Sequence, residues 1–183
     1  MRLIKTPLLA IVLFSIVIFS CNHSNTSDTV NSDAKTKHQN LIHGLETTMH
    51  SSASMNVAVG QIATQEYLKF VKAYPDDSVS ADYLFKAGEI ATAIQDYSTA
   101  LQAYEQITAA YPKFRYVRES LYLQGFLLDN YLNDDAKAKT IYEKFLSTYS
   151  EGPYVQDAKA AIANLGKSDE ELIEQFKKIN KEK

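Results

Sequence analysis

Tryptophan is absent from this 183-residue chain, cysteine occurs once, at Cys21, and no histidine follows residue 50. A single thiol cannot form a disulfide within the chain, and the region without histidine lacks the usual general base. The four histidines, at positions 23, 38, 43 and 50, do not show the i,i+4 spacing of a helical zinc site, so no metal is expected. Glycine-rich phosphate loops and Gly-x-Ser-x-Gly motifs are also missing. We therefore expect no cofactor and no enzyme activity.

Positive charge is also in short supply. The net charge is -3 and the sequence pI is about 5.8. Removing residues 1–20, which contain Arg2 and Lys5 and no acidic residue, would change the net charge to -5. A nucleic-acid partner is therefore not expected, and neither is a basic helix that binds a membrane surface.

The N-terminal segment combines two basic residues with an apolar run from Leu8 to Phe19 that is interrupted by Ser15 alone. Twelve residues are too few for a helix to span a bilayer, which takes about 20. This arrangement is typical of a secretory signal, so residues 1–20 are predicted to be a signal peptide.

Cys21 stands directly after this signal, in the sequence Ile18-Phe19-Ser20-Cys21. The sequence resembles the lipobox of bacterial lipoproteins, which implies that Cys21 is acylated, becomes the first mature residue and anchors the chain firmly. Phe19 occupies a position where a small residue is usual, and a lone cysteine after an ordinary signal peptide is the alternative. Asn22 replaces the aspartate of the inner-membrane retention signal. The resemblance therefore implies the outer membrane, with the periplasmic face expected and the other face left open.

Residues 21–55 precede the repeat, and most of them, from 22 to about 40, are rich in Asn, Ser, Thr, Asp, Lys and His. A stretch with so few large apolar residues cannot offset its ordering entropy by burial, so it is predicted to be a flexible tether with solvated histidines. Leu41, Ile42, Leu45 and Met49 allow a short helix within it that packs against the first repeat.

A repeat occupies the region from residue 56 to residue 166. Four landmarks recur after 37 residues, namely Ala63, Tyr67, Tyr74 and Pro75 as Ala100, Tyr104, Tyr111 and Pro112. Gly125 follows Gly88 by 37 residues, but Ala138 follows Ala100 by 38, which indicates one inserted residue in the turn between them. A fixed period of about 20 to 50 residues marks stacked helical or strand units. Apolar spacings of three and four predict about three helical hairpins here.

The best-preserved unit contains Leu84, Ala87-Gly88, Ala100, Tyr104 and Pro112, and the next contains Leu121, Gly125, Ala138 and Tyr142. These residues and spacings resemble the tetratricopeptide repeat family. The resemblance implies an all-α solenoid of helical hairpins. Within that family the chain is similar to the repeat domains of two envelope systems, the coordinator of the Tol-Pal system and the lipoprotein of the outer-membrane β-barrel assembly machinery.

Residues 167–183 are predicted to form a last helix. Ser168 and Glu171 form a capping box, and Leu172, Ile173, Phe176 and Ile179 share one face. We expect this helix to cap the apolar end of the array, because a solenoid otherwise exposes its last repeat.

Family resemblance also places the groove that binds a partner on the first helix of each unit. Carried over to this sequence, the groove residues are Asp82, Phe85, Glu89, Glu119, Tyr122, Phe126, Asp129 and Asn130. An acidic groove with three aromatic residues suits envelope proteins or peptides that carry apolar and basic side chains. The expected function is that of an envelope scaffold held to the membrane by its lipid anchor. The alternative is a lipoprotein that captures a glycan or nutrient. The sequence leaves the partner's identity and the oligomeric state open.

Overall fold

The computed structural model describes residues 26–51 and 56–181, and every regular element in these two ranges is an α-helix. The helices are α1 (Thr26–His50), α2 (Val57–Ala73), α3 (Ser80–Ala93), α4 (Tyr97–Ala110), α5 (Val117–Asn130), α6 (Asp135–Thr148), α7 (Val155–Asn164) and α8 (Asp169–Lys181). Within the two ranges, none has the length and hydropathy of a membrane-spanning segment. The predicted signal peptide and Cys21 lie outside the described residues.

Each helix from α1 to α7 packs mainly against its neighbours in the sequence. The pairs α1–α2, α3–α4 and α5–α6 form three successive hairpins, and α7 adds a further helix against α6. Three apolar clusters follow one another along the stack, centred on Tyr67, Tyr104 and Tyr142. The predicted all-α solenoid of helical hairpins is confirmed.

A close contact between glycine and tyrosine holds two of these hairpins together. A Cβ atom added to Gly88 would lie 2.6 Å from Cε1 of Tyr104, and one added to Gly125 would lie 2.7 Å from Cε1 of Tyr142. Both rings are almost fully buried. The two helices of each hairpin therefore approach so closely that the first helix has no room for a side chain at this position.

The inserted residue predicted from the change in period lies in the second hairpin turn. Three residues separate α3 from α4, and four separate α5 from α6. Each turn ends at an aspartate whose carboxylate accepts a hydrogen bond from the backbone of the next helix, Asp96 from the Thr99 amide and Asp134 from the Lys137 amide. The two helices α4 and α6 therefore begin with the same N-cap hydrogen bond, although the turns before them differ by one residue.

Helix α1 corrects the prediction of a flexible tether over residues 21–55, at least for its described part. Residues 26–50 form one 25-residue helix, which includes the short helix allowed by Leu41 to Met49. Ile42 is 2 % exposed and packs with Ala63, Tyr67 and Phe70 of α2. Docking on α2 supplies the buried area that the polar composition does not predict, and helices in proteins owe most of their stability to such packing.

His38 shows most clearly why the tether prediction is wrong. It was expected to be solvated, yet its side chain is 18 % exposed, and Nε2 lies 3.0 Å from Oε2 of Glu66 on α2. Its ring also meets the Phe70 ring at 5.5 Å in an edge-on arrangement. His43 is exposed, as predicted. Since His38 is part of the interface, α1 belongs to the array.

The alignment of α1 with the first helices of the other hairpins follows from a hydrogen bond between α1 and a tyrosine hydroxyl of α2. Tyr67 donates a hydrogen bond to Glu46 of α1 at 2.6 Å, much as Tyr142 donates to Asp129 of α5 at 3.4 Å. With Glu46 in the place of Asp129, Ile42 takes the place of Gly125, and His38 the place of Leu121. Helix α1 is therefore the first helix of a hairpin that lacks the sequence landmarks of the others.

The C-terminal end of the array is formed by α7, and α8 follows it in the sequence. Helix α7 follows α5 by 38 residues, so Lys159 corresponds to Leu121 and Ala163 to Gly125. Leu121 is 4 % exposed, whereas Lys159 and Ala163 are both exposed. Because the outward side of α7 is polar there, α7 itself ends the array. Among the described residues no other helix makes an extensive contact with α8, although Leu172 at its start lines a cavity together with residues of α5 and α7, so the role of α8 as a cap stays a prediction.

Candidate functional site

Three cavities lie along the first helices of the hairpins, and together we call them the groove. The first, of about 380 Å³, lies between α1 and α3 and is lined by Glu46, Met49, His50, Tyr67, Lys86, Glu89 and Ile90. The second, of about 330 Å³, lies between α3 and α5, and its lining includes Asp82, Phe85, Glu89, Arg115, Tyr116 and Glu119. The third, of about 610 Å³, involves α5, α7 and the start of α8, and its lining includes Tyr122, Phe126, Asp129, Asn130, Asn164 and Leu172.

The structure brings all eight predicted groove residues to the second and third cavities. Those of α3 meet Glu119 in the second cavity, and the remaining four, which belong to α5, line the third. This grouping arises because α3 and α5 occupy equivalent places in successive hairpins, so residues 37 apart point in the same direction. Whether a partner binds there stays a prediction.

Phe85 contributes more to the core than to an open surface. Its side chain is only 7 % exposed and belongs to the same apolar cluster as Tyr104. Its ring stacks on Tyr116 at a centroid distance of 4.7 Å. Phe85 therefore lines the second cavity mainly as a core residue, and Tyr116, which is 38 % exposed, stacks over it there.

Tyr116 and Arg115 reach the second cavity from the turn before α5. The Arg115 guanidinium forms an ion pair with Asp82 and also lies 4.8 Å from the centre of the Tyr116 ring. Asp82 is therefore already paired. Sequence reasoning missed both residues because family resemblance assigns groove positions only to residues within helices. Arg115 and Tyr116 lie in the turn before α5 and are outside that pattern.

Glu89 and Glu119 supply negative charge to the same cavity. Partial loss of hydration, and then the nearby Glu119 carboxylate, raise the pKa of Glu89 above its ordinary value. Glu119 accepts a hydrogen bond of 2.9 Å from the Tyr154 hydroxyl. No ion pair among the described residues neutralises either carboxylate. A cation placed between them would relieve their mutual repulsion.

Aromatic packing shapes the third cavity. The Tyr122 ring stacks on Tyr154 at 4.6 Å and lies 5.9 Å from the buried Phe145, so it supports the fold as well as lining the groove. Phe126 lies 6.3 Å from Tyr122 and is partly exposed. Tyr122 is also partly exposed, so both rings present part of their surface to the cavity.

Polar groups complete this cavity. Burial raises the pKa of Asp129, whose carboxylate accepts the hydrogen bond from Tyr142. The Asn130 side chain donates a hydrogen bond of 3.0 Å to the Phe126 carbonyl. Asp129 therefore adds a third carboxylate without a cationic partner among the described residues.

The first cavity was missed by sequence reasoning, because only a short helix from Leu41 to Met49, and not a groove-lining first helix, was predicted to pack against the first repeat. Here Glu46 accepts hydrogen bonds from Lys86 at 2.5 Å and from Tyr67 at 2.6 Å. Although burial alone would raise it, these contacts hold the pKa of Glu46 below its ordinary value. The apolar part of the lining comes from Met49 and Ile90. The apolar spacing from Leu41 to Met49 was the signal that could have revealed this surface.

No group of three or more potential metal ligands occurs among the described residues. What the fold and the groove define is a helical-hairpin solenoid with a partly apolar, mainly acidic surface along its first helices. Its hairpins α3–α4 and α5–α6 are tetratricopeptide repeats, since the model of that repeat family matches residues 82–113 and 119–152. No curated protein matches the chain significantly. Tetratricopeptide repeats generally mediate protein–protein interactions and serve as non-catalytic scaffolds.

Proposed function

We propose that this chain is a lipoprotein of the outer membrane that uses its groove to hold another envelope protein at the periplasmic face. The observation that carries the proposal is the row of cavities along α1, α3 and α5, in which apolar surface lies beside unpaired carboxylates. Such a surface favours a protein segment over a small polar ligand, because the cavities follow one another over several helices.

The partner segment should carry both apolar and basic side chains. Met49 and Ile90 offer an apolar wall in the first cavity, which can receive one aliphatic or aromatic side chain. Glu89 and Glu119 then favour a lysine or arginine at the neighbouring position, where charge-assisted hydrogen bonds can form. The alternation of these features along the groove would fix the register of the partner.

Anchoring is supported by the sequence of residues 1–21 and by the position of α1. Only residues 22–25 separate Cys21 from the start of α1 at Thr26. Four residues span at most about 14 Å when fully extended. If Cys21 is acylated, the array is held near the bilayer, and a partner in the groove is kept close to the membrane as well.

The test is site-specific photo-crosslinking in cells. A photoreactive residue replaces Ile90 in the first cavity or, as the matched control, the exposed Gln106 of α4 on the other side of the hairpins. We expect envelope-protein adducts from position 90 and not from position 106, and we expect Glu89→Lys to remove them. Identical adducts from both positions, or none from position 90, would refute the role of the groove.

The anchor is tested separately. Cys21→Ser should move the chain from the membrane fraction to the soluble fraction, and protease added to whole cells should leave the anchored chain intact at the periplasmic face. Membrane association that survives this substitution would count against lipidation while leaving the groove's role open to its own test.

A further inference from the structure

Three turns of the array lie along a single edge, which we call the connecting edge. They lead from each second helix to the next first helix and comprise residues 74–79, 111–116 and 149–154. The Tyr111 hydroxyl of the second turn donates a hydrogen bond of 2.7 Å to the Pro75 carbonyl of the first. The third turn is joined to the start of α5, where the Arg118 guanidinium lies 4.6 Å from the centre of the Tyr149 ring. The three turns therefore form one continuous surface.

Helix α1 begins beyond the connecting edge. Its Lys35 forms an ion pair with Asp77 of the first turn, which fixes the level of the edge along α1. Nine residues of α1, from Thr26 to Ala34, precede Lys35. At 1.5 Å per residue they carry the helix about 14 Å past the edge. Residues 32–34 are exposed, so the array does not cover this part of α1.

The proposed acylation site lies close to the free end of this helix. Residues 22–25, which separate Cys21 from Thr26, reach at most about 14 Å. Together with the projecting part of α1, they keep the connecting edge within about 28 Å of Cys21. The opposite edge, where α3 and α5 end, lies farther away by the length of a 14-residue helix, about 21 Å.

The bulk of the array excludes the reverse orientation. If the C-terminal end of α1 pointed at the bilayer, the array would extend from Thr26 toward the lipid over the length of α1, about 38 Å. Because the tether reaches only about 14 Å, the array would then enter the bilayer. Lying with the groove against the lipid is disfavoured too, since Glu89, Glu119 and Asp129 would face anionic headgroups. An upright array, with the connecting edge toward the lipid, avoids both conflicts.

We propose that the connecting edge faces the bilayer and that α1 acts as a spacer, which holds the first helices with their N-terminal ends toward the lipid. The second cavity, to which Arg115, Tyr116 and Glu119 contribute at this edge, is then the part of the groove nearest the membrane. A partner that fills it is a protein segment that emerges from the same bilayer. The proposal rests on the proposed lipid anchor and adds the orientation of the groove to it.

Two tryptophan variants test the orientation. Tyr116 and Tyr131 flank α5 at its two ends, about 22 Å apart along the helix axis, and they are 38 % and 41 % exposed. Because the chain contains no tryptophan, Tyr116→Trp and Tyr131→Trp each introduce a single fluorescent donor. The acylated full-length variants are placed in vesicles of phosphatidylcholine and phosphatidylglycerol that contain a lipid with a dansyl group on its headgroup. Energy transfer from tryptophan to dansyl then reports the distance to the bilayer surface.

We expect the transfer efficiency from position 116 to be several times that from position 131. Lys113→Trp, at an exposed position of the same turn, should give the result of Tyr116→Trp. A flexible Gly-Ser insert of about 40 residues between Asn25 and Thr26 has a root-mean-square span of about 35 Å, so it should lower both efficiencies and bring them close together. A difference that survives this insert unchanged would overturn the role of α1 as the spacer.

Equal efficiencies from positions 116 and 131, or a higher one from position 131, would overturn the orientation. If the chain still floats with the vesicles in that case, the anchor and the groove of the proposed function stay intact. Failure of the acylated chain to float with vesicles would overturn the anchor and the orientation together. Circular dichroism of each variant verifies that the helical array is folded, and the exposed Lys113→Trp replaces Tyr116→Trp if the latter disturbs the packing on Phe85.

Discussion

Replacing Gly88 with alanine should destabilise the protein, although alanine is normally the better helix residue. In the middle of an exposed helix this substitution gains about 1 kcal/mol. Here the new Cβ would lie 2.6 Å from Cε1, 2.7 Å from Cζ and 3.1 Å from Cδ1 of Tyr104. That ring is 2 % exposed and lies against Phe85, so it cannot turn away freely.

The magnitude follows from these opposing effects. Overpacking of a filled core costs typically about 1–3 kcal/mol, and three ring atoms in collision place Gly88→Ala at the upper end of that range. After subtraction of the helix-propensity gain, we expect a net loss of about 1–2 kcal/mol. Gly125→Ala should behave alike, because its Cβ would lie 2.7 Å from Cε1 of Tyr142.

Gly44 provides the matched control. It lies inside α1, yet a Cβ added there would have no neighbour within 4 Å. Gly44→Ala should therefore stabilise the protein by about 0.5–1 kcal/mol. Urea titrations followed by far-ultraviolet circular dichroism can compare the variants, and a net loss of this size would lower the midpoint by about 0.5–1 M.

A double-mutant cycle identifies the contact responsible. On a Tyr104→Leu background the ring atoms are gone, so Gly88→Ala should cost less than in the wild type, with a coupling energy of about 1–3 kcal/mol. If Gly88→Ala raised the midpoint as Gly44→Ala does, the close helix approach would be refuted, and with it the register of the hairpins.

Two further predictions concern the core and the first cavity. Tyr104→Ala should cost about 3–5 kcal/mol, measured by the same titration, and a variant as stable as the wild type would contradict the role of this ring in the hairpin. Glu46→Gln should cost about 1 kcal/mol at pH 7, because it weakens the bonds to Lys86 and Tyr67. Since the pKa of Glu46 is lowered in the folded state, its contribution is present above the unfolded pKa and is lost as the pH falls below about 4.5. The stability gap between Glu46→Gln and wild type should therefore narrow at pH 4, and a gap that is the same at both pH values would contradict the ionic contact.

The hairpins α3–α4 and α5–α6 could be predicted from the sequence because their packing depends on residue types that few others can replace. Gly88 lies against the Tyr104 ring, and the same contact is made in the next unit by Gly125 and Tyr142. The interval between the pairs also revealed the extra residue of the second turn. The residues that repeat along the sequence are thus those at close helix–helix contacts.

The first hairpin could be predicted only in part, as α2 and a short helix packed against it, because its two helices pack through other residues than those of α3–α4 and α5–α6. Ile42 takes the place of Gly88, and His38, whose Nε2 lies 3.0 Å from Oε2 of Glu66, takes the place of a core leucine. The contact between Glu46 and Tyr67 corresponds to the contact between Thr92 and Tyr104 in the next hairpin. The first pair is nine residues further apart in the sequence than the second pair. A search for a period of 37 residues therefore finds α2 and misses α1.

The C-terminal end of the array could likewise be predicted only in part from the sequence. The apolar pattern of α8 predicts that the helix packs against something, but not which surface. Lys159 in the place of Leu121 was visible in the sequence, yet its meaning depends on knowing that α7 occupies the position of a first helix. The polar side of α7 then becomes recognisable as the terminus of the solenoid.

The groove extends beyond the two hairpins that the repeat family matches, and this shapes what a partner can be. Helix α1 adds Glu46 to the first cavity, and α7 adds Asn164 to the third, although neither helix keeps the glycine that hairpin packing requires in α3 and α5. The landmarks that define the family serve packing, so they can disappear from a terminal helix while its side chains still line the groove. A partner that spans all three cavities would therefore contact α1, α3, α5 and α7 among others, and its affinity should depend on α1, which the repeat pattern does not include. Removing the apolar wall at Met49 by substitution with serine should weaken such a partner without loosening the two matched hairpins, since Met49 is only partly buried at the edge of the first apolar cluster.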